Sequence, residues 1–91
     1  MIKLTHYSDS GHGWIAVKRY ILDQFGLLTE ISKYSYQSKS GETVYLEEDC
    51  DAAKLITYLE GHEISFNVTE KNTNGSSAIR SYNRFNHKIA G

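Results

Sequence analysis

The stretch Tyr45–Gly61, YLEEDCDAAKLITYLEG, places four acids and the chain's only cysteine in five consecutive positions, Glu47 to Asp51. Its reading decides the fold, because here a strand gives way to a helix. Ala52, Leu55, Ile56 and Leu59 fall on one face of a helical period, and Gly61 supplies the stop. Asp49 or Asp51 suits the cap, where a carboxylate accepts from exposed backbone N–H groups. Acids at that end are also stabilised by the helix dipole. Helix initiation needs only one or two of them. Glu47 and Glu48 precede the cap, at the end of the preceding strand, and are in excess.

Just upstream, KYSYQSKSGETVYLE (residues 33–47) reads as a hairpin. Tyr34, Tyr36, Val44 and Leu46 favour strand, and SKSG supplies the turn. At the N-terminus, IKLTHYS (2–8) alternates Ile2, Leu4 and His6 against Lys3, Thr5 and Tyr7, a strand pattern. DSGHG (9–13) is a turn and WIAV (14–17) a second short strand. KRYILDQFG (18–26) follows with Tyr20, Ile21, Gln24 and Phe25 at helical spacing. LLTEIS (27–32) fits a helical turn or a linker. Beyond Gly61, EISFNVTEK (63–71) returns as a strand with Ile64, Phe66 and Val68 on one face.

The predicted order is ββαββαβ. That is an α+β fold in a single small domain, a mainly antiparallel sheet with two helices on one face. Residues 1–71 form the domain. Residues 72–91 form a loop and a basic, aromatic segment able to pack on it.

Composition narrows the function. One cysteine among 91 residues allows no internal disulfide. No window is long and apolar enough to span a membrane, and MIKLTHYSDSGHGW lacks the apolar core of a signal peptide. The expected setting is the cytoplasm, with no membrane partner. The net charge of −1 conceals segregation. Residues 47–63 carry one base and six acids, whereas residues 64–91 carry four bases and one acid. Two differently charged surfaces follow, but not the large basic excess of a generic nucleic-acid coat.

Three groups are candidate sites. Glu47, Glu48, Asp49 and Asp51, with Tyr34 and Tyr36 nearby, suit an acidic partner-binding surface. The plainer reading is a capped helix with a solvated face. Ser10, Gly11, His12 and Gly13 form a turn whose backbone N–H groups could hold an anion or nucleotide, although the lysine pattern of a phosphate loop is missing. Arg80, Tyr82, Arg84 and Lys88 interleave bases with aromatics, as in contacts to phosphates and bases. The same segment could instead pack Ile79, Tyr82 and Phe85 on the core. His6, His12, His62 and His87 lack zinc-ligand spacing. Cys50 sits among carboxylates that oppose thiolate formation. No metal, cofactor or catalytic residue is expected, and the reading leans away from an enzyme.

Three segments, GHGWIAVKR (11–19), ISKYSYQSKSGETVYLEEDCDAAKLI (31–56) and SSAIRSYNRF (76–85), resemble a family of small proteins encoded by tailed bacteriophages and prophages. YLEEDCDA is the most specific of these motifs. No activity or catalytic residue carries over. The resemblance implies a small protein made in the cytoplasm of an infected bacterium, where accessory proteins often bind and inhibit host enzymes or host defences. The leading expectation is a non-enzymatic phage accessory protein that binds a host protein or nucleoprotein complex, as an anti-CRISPR-like or anti-restriction inhibitor. It acts as a monomer or homodimer. The alternatives are a nucleic-acid-binding module using the C-terminal segment, and a nucleotide-binding or enzymatic protein using the SGHG turn.

Overall fold

A computed structural model of the chain describes residues 1–86. Lys88, a candidate nucleic-acid contact, and His87 lie outside the described residues. Among the described residues, six strands and two α-helices run in the order β1 (Ile2–Ser8), β2 (Gly13–Lys18), α1 (Arg19–Gln24), β3 (Tyr36–Gln37), β4 (Thr43–Glu47), α2 (Asp51–Gly61), β5 (Phe66–Asn72) and β6 (Asn83–Arg84). Short 3-10 turns lie at Leu28–Glu30 and Ala78–Ser81.

The strands form one sheet in the order β5-β1-β2-β4-β3-β6. All neighbours pair antiparallel except β1 and β5, because α2 carries the chain across to lay β5 parallel to β1. The expected α+β domain is the observed one. The hairpin turn between β3 and β4 needs Gly41 at φ 81°, where a β-carbon is disfavoured.

Strand alternation assigns the two sheet faces. Leu4, Ile15, Val17, Val44 and Leu46 point to one side, where Leu22 of α1 and Leu55 and Leu59 of α2 join them in a single cluster. Each fully buried leucine contributes about 2 kcal/mol of transfer free energy. The opposite face carries Lys3, Thr5, Tyr7, Trp14, Ala16, Lys18, Tyr36, Tyr45 and Glu47; neither α1 nor α2 packs on it, and Arg80 of the Ala78–Ser81 turn lies over Trp14.

Two features differ from the sequence reading. Neither Asp49 nor Asp51 caps α2 through its side chain; Cys50 holds the cap position without a side-chain hydrogen bond. Asp51 is one residue inside the helix, and its carboxylate turns to donors on the segment before β3. The second feature is β6, which has no counterpart in the expected order. It pairs with β3, and Phe85 N–H donates to Ser35 C=O at 2.9 Å. Ile79 and Phe85 are buried, so residues 76–86 pack into the domain. Two residues are too few to show a period in the sequence, which is why this strand was illegible.

No helix among the described residues is long and apolar enough to cross a membrane.

Candidate functional site

The three candidate groups, far apart in sequence, meet at one end of the helix-free face. A cleft of about 510 Å³ is lined by His12, Trp14, Tyr34, Tyr36, Glu47, Asp49, Cys50, Arg80 and Arg84. The β1–β2 turn brings His12, the β3–β4 hairpin brings Tyr36 and Glu47, and the C-terminal segment brings both arginines.

Its floor is aromatic. Trp14 and Tyr36 meet edge to face, with centroids 6.2 Å apart. Arg84 lies over the Tyr36 ring at 4.4 Å, and Arg80 over Trp14 at 5.6 Å. Register accounts for the first contact, because Tyr36 and Arg84 are cross-strand partners. Tyr34 stands at the rim and is 63% exposed.

One wall is acidic. Glu47 accepts from Asp49 N–H at 3.0 Å. Burial pushes the Glu47 carboxyl above its ordinary range, and the charge of Asp49 adds to the rise. His12, Glu47 and Asp49 bring one ligand atom each within 4.8 Å of one another. Such a set is able to hold a divalent cation, yet His12 and Asp49 are open to solvent, and exposed carboxylates gather in this way without an ion. Sequence spacing hid the trio, because a turn and a strand end supply it.

The other wall is basic, and Arg80 is already engaged. Its Nε and Nη2 donate to the two oxygens of Asp9 at 2.6 and 2.8 Å. Asp9 Oδ1 also accepts from the N–H groups of Gly11 and His12, both at 2.9 Å, and Oδ2 accepts from Ser77 N–H at 2.9 Å. Arg80 and these backbone donors hold the Asp9 carboxyl far below the usual carboxylate range. Ser10, Gly11, His12 and Gly13 are the turn expected to hold an anion, and the N–H groups of Gly11 and His12 are directed at Asp9. The turn does cradle an anion, but that anion is the carboxylate of Asp9. Gly13 is paired within the sheet with Ser8, and Ser10 N–H turns to Gly75 C=O.

The acidic run is divided among three places. Glu47 and Asp49 line the cleft. Glu48, one residue on, faces the other side of the sheet by strand alternation. There its Oε2 lies 3.2 Å from His6 Nε2, while Glu70 bonds His6 Nδ1 at 2.7 Å. Asp51 is fully buried. It accepts from Ser35 Oγ at 2.5 Å, Ser32 Oγ at 2.7 Å, Ser32 N–H at 3.0 Å and Lys54 Nζ at 3.0 Å. Burial opposes its charge, but these donors outweigh burial and keep its pKa below the ordinary value. Asp51 therefore ties α2 to the segment before β3 and is no part of an outer surface.

Tyr82 lies outside the cleft against Tyr45, with centroids 5.2 Å apart. Comparison of the chain with protein-family models, curated proteins and solved structures finds no match.

Proposed function

We propose that the protein is a non-enzymatic binding module that docks on a protein partner through this cleft. The carrying observation is its pair of walls of opposite sign. Glu47 and Asp49 face Arg80 and Arg84 across an aromatic floor, with exposed Tyr34 at the edge. Tyrosine and arginine are among the residues that most often anchor protein interfaces, and buried Trp14 supports them from beneath. A phosphate backbone drawn to the arginines would meet both carboxylates, whereas a protein segment offers charges of both signs.

The resemblance to tailed-phage proteins supplies the context for the partner. It favours a host protein or nucleoprotein complex, with inhibition of a host defence as the use. The test is affinity capture from bacterial lysate with tagged protein at low and moderate salt. One stoichiometric partner, lost with Arg84→Glu and with Tyr34→Ala but kept with Glu48→Lys on the opposite face, supports the reading. Equal capture by all the variants refutes it.

A further inference from the structure

The helix-free sheet face carries a second feature, beside the cleft and separate from it. Three cross-strand rows cross this face. In the first, Lys3 pairs with Asn67 and Lys18 with Thr43; Thr69, Thr5, Ala16 and Tyr45 share the next. Lys71, Tyr7, Trp14 and Glu47 share the third, whose last two members line the cleft. At their centre is a shallow hollow of about 240 Å³. Thr5 and Ala16 form its small-residue floor, Lys3 and Lys18 stand along one side, and Tyr7 and Tyr45 flank the other. The lining contains no carboxylate. Tyr7, Tyr45 and Tyr82 form a continuous chain of rings, with centroids 6.0 and 5.2 Å apart.

We propose that this face binds single-stranded nucleic acid, with phosphates on Lys3, Lys18 and Lys71 and bases stacked on Tyr7, Tyr45 and Tyr82. Two properties select that occupant. The first is charge complementarity: Lys3 and Lys18 line a hollow that no acid shares, and Lys71 stands exposed on the same face beside Tyr7. The second is the floor. Threonine and alanine offer a protein partner little apolar area to bury, whereas rings beside cations suit a strand in which bases alternate with phosphates. An open sheet that presents aromatics is a recurrent platform for single strands. The hollow borders the cleft, because Tyr7 pairs with Trp14 and Tyr45 with Tyr36, but the two linings share no residue.

The test is fluorescence anisotropy with labelled oligothymidine and oligouridine of about twelve nucleotides, a length within the usual site range. A duplex of equal length, thymidine monophosphate and inorganic phosphate serve as competitors. Single strands are expected to bind, and to weaken with a log–log salt slope of about −2 for three phosphates at roughly −0.7 each. K3Q with K18Q lowers that slope by about 1.4. Y45L weakens binding about tenfold, the scale of one lost stack. Circular dichroism that matches the wild type shows that each variant is folded. Absence of binding at low salt overturns the proposal, as does an unchanged slope for the lysine variant or a preference for duplex. Competition by thymidine monophosphate at equal nucleotide concentration overturns the strand and makes a free nucleotide the occupant. Competition by inorganic phosphate alone overturns the stacking role of the tyrosines.

Discussion

Asp9 and Arg80, separated by 71 positions in sequence, meet in a two-pronged ion pair at 2.6 and 2.8 Å. The pair fastens the C-terminal segment across Trp14 and holds the basic wall of the cleft in place. Asp9→Asn should therefore loosen residues 77–86, lower Tm and expose Trp14, which is 2% accessible in the folded protein. A red shift of tryptophan emission and faster amide exchange at Ile79 check this. Arg80→Lys should give much of the same effect, because an ammonium cannot reproduce the fork. The folded-state pKa of Asp9 is depressed. Its contribution is therefore fully present above the unfolded value of about 4 and is lost as pH falls below it.

Asp51 has a structural role that is separable from the cleft. Asp51→Ala removes a buried carboxylate and leaves Lys54, Ser32 and Ser35 without their shared acceptor. The expected loss is about 2 kcal/mol, the scale for taking the charged acceptor from buried Ser35 while Lys54 stays in solvent, measured by urea unfolding at neutral pH. Glu47→Gln should change stability far less and act on partner binding.

His6 makes stability depend on pH in the opposite direction. Its hydrogen bond to Glu70 raises its pKa despite burial, and Glu48 adds to the rise. The contribution is full below the unfolded value of about 6.5 and fades as pH rises through the higher folded value. Glu70 is 70% exposed and Glu48 38%, so the contribution is about 0.5 kcal/mol or less. Gly13→Ala should flatten it. A β-carbon there would lie 2.2 Å from Glu48 Oε2 and 2.7 Å from His6 Nε2, so Glu48 must leave the histidine. Tm measured between pH 5 and 8, the range in which an ordinary histidine titrates, checks the effect.

Periodicity made much of the fold legible. The alternation of Ile2 to Ser8 gave β1, the spacing of Ala52, Leu55 and Leu59 gave α2, and Gly41 marked the hairpin turn. The site was legible only in pieces. Each of its three segments was singled out, but their convergence depends on β2 pairing with β4 and β3 with β6, pairings that no local pattern encodes. The acidic run read as one surface because sequence is linear; alternation at Glu47 and Glu48 and the turn into α2 send its members in different directions. The internal use of Asp9 was hidden for the same reason, since its partners Ser77 and Arg80 lie at the far end of the chain.

The most direct measurement is site-specific photo-crosslinking in bacteria, with a photoreactive phenylalanine analogue replacing Tyr34 at the cleft rim or Tyr20 on α1. These tyrosines are similarly exposed, at 63% and 67%, and Tyr20 does not line the cleft. A docking cleft predicts one discrete crosslinked protein from position 34, absent from position 20 and abolished by Arg84→Glu. No crosslink at position 34, or the same products from both positions, would contradict it.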